Sequence, residues 1–290
     1  MEAVKPNTLG WLLVLPAIIF VLASGLFPTM YAIVLGFSDT RLDGTQKFVG
    51  LENFFIIARD PDFLGSFPIT FGYAAMTVVG ATLVGLGTAL VAHSQFKGRT
   101  ILRSILGIPW AIPWVAIGLM WAFTFDLNHG YLNSVLSQLN FITEPINFLS
   151  PETALPAVSV ASVWLLSSFT AIFVLASLQT IDPIYYEAAI IDGAGIFGKF
   201  RHVTLPLIQP VLSFTVLSNG MIALTMFDVI YVMTKGGPGT ATLTLSMNAF
   251  RTFFQFMSMG EGAAIALVMT ALTMMFGIPF LTFFYRRVYR

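Results

Sequence analysis

The sequence predicts an all-α integral membrane protein, with six apolar helices crossing a bilayer and one short polar hook between the fourth and fifth. Three observations carry this reading. Hydrophobic residues make up 57% of the 290-residue chain against 10% charged, and the mean hydropathy is +0.84, which leaves too little polar surface to solvate a soluble globule. The apolar residues fall into runs of bilayer length, about 20 residues each. One glycine-bearing stretch, EAAIIDGAGIFGKF from Glu187 to Phe200, stands between two of those runs.

The runs lie at roughly 9–37, 67–92, 101–125, 154–180, 207–233 and 261–285. The first is longer than a signal-peptide core and no small-residue cleavage site follows Gly25, Phe27 and Pro28, so it reads as a mature helix. The runs consume most of the chain, and residues 1–290 are expected to form a single transmembrane domain. Alternating the loops puts nine basic residues on one side, Lys5, Lys97, Arg99, Arg103, Lys199, Arg201, Arg286, Arg287 and Arg290. Five fall on the other, Arg41, Lys47, Arg59, Lys235 and Arg251. Basic loops are retained in the cytoplasm during insertion, so both termini and the Glu187 segment are expected there. Loops near 38–66, 126–153 and 234–260 then face outside.

Fourteen basic and fourteen acidic residues balance to zero, which argues against nucleic acid as a partner. The absence of cysteine excludes a disulfide framework or a thiolate metal site. His93, His129 and His202 are scattered without a second ligand at metal spacing, and no Ser/His/Asp grouping is placed for nucleophilic catalysis. The chain is therefore expected not to be an enzyme.

In the third run, IPWAIPWVAIGLMW places Pro109 and Pro113 four residues apart, each deleting a backbone donor and inviting a kink, with Trp110, Trp114 and Trp121 on the same helix. Such a bend either shapes lipid-facing packing or opens a polar-lined space.

The central segment contains two enzyme signatures that fail on context. Gly193, Gly195 and Gly198 spell G-x-G-x-x-G, but the fingerprint needs a preceding strand, and residues 185–192 carry a helical pattern. Gly193 to Lys199 also fits G-x-x-x-x-G-K, but Phe200 stands where a phosphate loop needs a hydroxyl for magnesium. A helix-turn-helix bracket fits better. Pro183 suits the first turn of a helix, Glu187 lies toward its positive end, and Ala188 and Ala189 leave a smooth face for another protein. Gly193 and Gly195 permit a sharp turn, after which Phe197, Phe200 and Val203 recur at helical spacing until Pro206 stops the run.

The string EAAIIDGAGIFGKFRHVTLPLIQP closely resembles the cytoplasmic EAA loop of permease subunits of binding-protein-dependent ABC importers, through Glu187–Ala189, Asp192–Ala194 and Leu205–Pro206. VGLENF at 49–54, IPWAIPWV at 108–115 and MFDVIYVMTKGGPGTAT at 226–242 look like the carbohydrate branch, specifically its maltose-permease-like first subunit. This resemblance implies the type I importer fold, six helices with a coupling loop at 183–206, in a bacterial or archaeal cytoplasmic membrane. It implies a second, homologous permease subunit, two ATPase subunits gripping the EAA loops, and an extracytoplasmic sugar-binding protein. No cofactor is implied in this chain, ATP and Mg being bound by the ATPase subunits. Glu187 and Gly193 take the family's coupling role, with Ala188, Ala189, Asp192, Ala194, Gly195 and Pro206 shaping the contact.

The resemblance further implies a sugar pathway near mid-membrane, lined by Asn219, Ala223 and Met226 from the helix after the loop and by Ser162, Leu166 and Phe169 from the helix before it. Asp228, the one carboxylate inside a predicted span, lies seven residues before Lys235, roughly 10 Å from that loop end. It is either a cavity-mouth residue or a structural hydrogen-bonding partner. Asn219 reads equally as an interhelical bond. The expected function is ATP-driven import of a di- or oligosaccharide by alternating access. Glycerol-phosphate esters are the alternative cargo, and a stand-alone secondary carrier is the rival class. The latter usually carries mid-membrane ionisable groups and matched halves, and neither is evident here.

Overall fold

The computed structural model describes residues 6–40 and 45–288, with side chains from Gly10 to Pro279. Of the basic residues used for orientation, Lys5, Arg41 and Arg290 lie outside the described residues, as do the side chains of Arg286 and Arg287. Two compact units are present, one of residues Met1–Phe63 with Ala249–Val268 and one of Leu64–Asn248 with Met269–Arg290.

Five helices are long and apolar enough to cross a membrane: Gly10–Gly36, Pro61–His93, Ala154–Gln179, Ile196–Thr225 and Met259–Pro279. A bent pair, Arg99–Ala111 and Trp114–Thr124, supplies the sixth span. All six expected spans are therefore present, but three differ from the sequence reading in instructive ways.

The second span starts at Pro61, earlier than the apolar run. Asp60 precedes it and its Oδ1 accepts from the Asp62 amide at 3.0 Å, so an Asp-Pro start opens the helix before hydropathy does. The third span is two helices at 101°, where one doubly kinked helix was expected. Only Pro113 breaks it. Its ring forces Ile112 out of the helical region, to ψ 136°, whereas Pro109 sits in the first turn of Ile108–Ala111 and costs no intrahelical bond.

The fifth span begins well before residue 207, because Pro206 does not stop the helix. The turn Phe200–Thr204 is a π-helix, and the Leu205 amide reaches back five residues to the Phe200 carbonyl. That one-residue bulge moves the ring of Pro206 off the preceding carbonyl, so the helix passes through. The first span uses the same device, with a π turn at Leu22–Leu26 ahead of Pro28 and the Thr29 hydroxyl on the Gly25 carbonyl at 2.8 Å. At its far end the fifth span stops at Met226, not 233, and resumes as a separate helix, Asp228–Thr234.

The fourth span forms the centre of the larger unit. Val158, Leu165, Leu166 and Val174 are fully buried there. Hydrocarbon is as apolar as Leu, so helix association in a membrane depends on close packing and interhelical bonds. Gly85 supplies the close approach on the second span: a Cβ there would stand 2.5 Å from Thr170 Cβ and 2.8 Å from the Ser167 carbonyl.

In the smaller unit, Ser38–Thr40 pairs antiparallel with Gln46–Phe48, joining Ser38 to Phe48 and Thr40 to Gln46. Asn53, from the VGLENF string, donates to the carbonyls of Gly36 at 2.9 Å and Ser38 at 3.0 Å and so closes the end of the first span. Arg251 pairs with Asp62 at 2.5 Å and lies 5.3 Å from the Phe256 ring centre.

Candidate functional site

The hook between the fourth and fifth spans is built from its caps. Asp182 accepts from the Ile184 amide at 3.0 Å, Pro183 fills the first helical position, and the helix runs Pro183–Ile191. It ends in a Schellman motif. Gly193 takes φ +78°, its amide bonds the Ile190 carbonyl at 3.0 Å, and the Ala194 amide bonds the Ala189 carbonyl at 2.8 Å. The Asp-Gly-Ala string thus encodes a helix stop, and the chain re-enters a helix at Ile196. Gly193, Gly195 and Gly198 directly follow the helix Pro183–Ile191, where the dinucleotide fingerprint needs a strand.

Glu187, Ala188, Asp192, Gly193, Gly195 and Pro206 are exposed, with Ala189 and Ala194 half-buried. Around them stand large apolar side chains: Phe197, already singled out for its helical spacing, is exposed, as are Ile184 and Ile190, which the sequence reading passed over, and Ile191 and Ile196 are each 86% exposed. Exposed apolar side chains grouped in this way are the kind found at protein–protein or membrane contacts. For all but Ile184 the signal lay in the same fourteen residues, as isoleucines flanking the glycines. The hook is also tied to the bilayer helices, since the Tyr186 hydroxyl lies 3.1 Å from Thr204 Oγ1 at the base of the fifth span.

The second constellation lies where the fourth and fifth spans face each other. Ser162, Leu166 and Asn219 are fully buried, and Ala223 and Met226 are 2% exposed. The structure brings these faces of the fourth and fifth spans together inside the protein. Ser162 Oγ lies 2.6 Å from the Tyr73 hydroxyl of the second span. Asn219 donates to Thr170 Oγ1 at 2.8 Å, the interhelical bond that was one of its two readings, while its Oδ1 is buried with no partner among the described residues. Asp228 is half-buried and opens the helix after the Met226 break, so its charge faces the positive end of that helix.

Phe169 belongs to an aromatic cluster. Its ring centre is 4.8 Å from Trp110, 4.6 Å from Phe173 and 6.4 Å from Phe214. Trp110, Phe173 and Phe214 keep 36%, 40% and 41% exposure, so the cluster presents open ring faces beside the break at Pro113. Phe173 and Phe214 were missed. The i, i+4 spacing of Phe169 and Phe173 was legible, but the partner Phe214, 41 positions further on, needed the fold.

Residues 81–290 match the family described as "Binding-protein-dependent transport system inner membrane component". The trehalose/maltose transport system permease protein MalF of Thermococcus litoralis is 36% identical, with 94% of this chain and 92% of that protein aligned. The sulfoquinovosyl glycerol transport system permease protein SmoG of Agrobacterium fabrum is 38% identical over 92% of this chain and 87% of its own length. The lactose transport system permease protein LacF of Rhizobium radiobacter is 31% identical, at 96% and 94%. A chain of a bacterial ABC transporter involved in import of the acidic polysaccharide alginate superposes with a TM-score of 0.83, at 21% identity, covering 97% of this chain and 96% of that one, which establishes a common fold. On the extent of these matches, this chain belongs to the family of inner membrane components of binding-protein-dependent transport systems.

Proposed function

We propose that the chain is a permease subunit of an ABC importer that carries a di- or oligosaccharide into the cell by ATP-driven alternating access. The single observation that carries it is the Schellman-capped hook with its exposed apolar rim, a rigid projection shaped to seat in another protein and bonded through Tyr186 to the fifth span. Hydrolysis in two separate ATPase subunits, which hold ATP and Mg, moves that projection, and a second homologous permease completes the pathway. Both termini and the hook face the cytoplasm, and an extracytoplasmic binding protein delivers the cargo from outside.

For the cargo, support comes from the relatives, two of which are named for trehalose/maltose and lactose transport, and from the aromatic cluster around Phe169. Pyranose rings have apolar faces that lie on aromatic rings and hydroxyls that need a few fixed polar partners. Asn219 and Ser162 would supply those partners once the fourth and fifth spans part, with Leu166, Ala223 and Met226 as the apolar wall.

The test is reconstitution. The purified chain, a second permease, the ATPase and the binding protein in proteoliposomes should accumulate labelled disaccharide only with ATP, and affinity capture of this chain should recover the other membrane and ATPase subunits. Accumulation by this chain alone would refute the proposal.

A further inference from the structure

Beneath the hook lies a cavity of about 810 Å³, which shares Tyr186, Ile196 and Phe197 with the hook itself. Its walls come from Leu90 and His93 at the end of the second span, Leu178 of the fourth, Tyr186 of the hook, and Phe197 and Lys199 where the fifth span begins. The volume falls within the range of small-molecule sites, about 300–1,000 Å³, and the walls are mostly apolar with a few convergent polar groups. The charge carried by its wall is basic. Lys199 lines it, Arg99 and Arg103 stand close enough to act on His93, and no carboxylate lies among the described residues of the wall. The His93 ring is half-buried at this wall.

An apolar slot with a basic wall, at the end of the spans where basic residues collect, matches one class of molecule in its surroundings. We propose that this cavity binds an anionic phospholipid of the cytoplasmic leaflet, the acyl chain lying along Leu90, Leu178 and Phe197 and the phosphate meeting Lys199 and the imidazole of His93. The choice of leaflet rests on the orientation proposed above; the chemistry of the slot does not. The site lies directly behind the Tyr186–Thr204 bond that ties the hook to the fifth span. A lipid in it would brace the hook against that span, so membrane composition would set how firmly hook and pathway move together.

The experiment is native mass spectrometry of the full-length chain in mild detergent, offered phosphatidylglycerol and phosphatidylcholine in equal amounts. One phosphatidylglycerol should be retained in preference to phosphatidylcholine. In Lys199→Gln the preference should fall about fivefold, the effect of removing one surface lysine from an anionic lipid. Leu90→Trp, which fills the slot, should lower retention of both lipids, and an unchanged unfolding temperature would certify that each variant folds. Equal retention of the two lipids, or an unaltered preference in Lys199→Gln, overturns the proposal. So does full displacement of phosphatidylglycerol by millimolar inorganic phosphate, which would make the site a phosphate site. If sugar uptake fails in the reconstituted complex while the lipid preference persists, the transport reading falls and this one stands.

Discussion

The hydroxyl of Ser246 donates to the carbonyl of Met226 at 2.6 Å, and both residues are buried. The chain that leaves the fifth span thus folds back to close the break within it. Thr70 of the second span joins the same repair by accepting from the Leu245 amide at 2.9 Å. Irregular backbone at membrane depth survives only where protein satisfies its polar groups. Ser246→Ala is expected to destabilise the chain by about 1–2 kcal/mol, and Ser246→Thr, which keeps the hydroxyl, by less. Thermal unfolding in detergent checks the order, and an alanine variant as stable as the parent would show that the bond contributes nothing.

The proposed coupling role of the hook can be tested apart from its folding. A side chain at Gly193 meets nothing within 4 Å in this chain, so Gly193→Asp carries only the strain of φ +78°, about 1 kcal/mol. The variant should insert and unfold near the parental temperature while uptake by the reconstituted complex is abolished, and Glu187→Lys should behave likewise. Normal uptake in both would remove the coupling assignment.

Phe173 and Phe214, with ring centres 5.5 Å apart, are testable as cargo contacts because both are about two-fifths exposed and little core is lost on truncation. Alanine at either position should raise the half-saturation concentration for disaccharide uptake about fivefold, equivalent to roughly 1 kcal/mol. Maximal rate should change less. A fall in maximal rate alone would make the cluster structural.

Asn53 holds two carbonyls with one amide, so Asn53→Ala should cost about 1–3 kcal/mol. Asn53→Asp, which loses both donors and sets a carboxylate against two carbonyl oxygens, should be worse. Proteolysis of the 38–66 loop in the detergent-solubilised chain would report the loss, and equal protease resistance in all three chains would contradict it.

The loop after the third span contains a pH-sensitive turn. Asp126 Oδ1 accepts from the amides of His129 at 2.7 Å and Asn128 at 3.0 Å, and these bonds hold its carboxyl below the usual aspartate range. A depressed carboxylate contributes order above its unfolded value and loses it as pH falls through the lowered one. Protection of the Asn128 amide, measured against its intrinsic exchange rate, should therefore persist at pH 5 and fall only below pH of about 4. Loss of that protection between pH 7 and 5 would exclude Asp126 as the cause.

The six spans, the hook and its glycine stop were legible in the sequence because each is a local matter. Hydropathy over a bilayer length needs no partner, and Asp182-Pro183 and Asp192-Gly193-Ala194 cap a helix whatever surrounds them. Proline was the weak sign. Pro109, Pro113 and Pro206 are the same residue with three outcomes, a first turn, a break and a passage through a π bulge, because the result depends on whether neighbouring backbone can absorb the missing donor. Tertiary structure alone decided the break at Met226, which no Gly or Pro announces and which Ser246, twenty positions later, satisfies. It alone also joined Ser162 to Tyr73, Asn219 to Thr170, and Phe214 to Phe169. A sequence states which polar and aromatic groups must find partners in a membrane, and only the packing of spans far apart in the chain determines which ones they find.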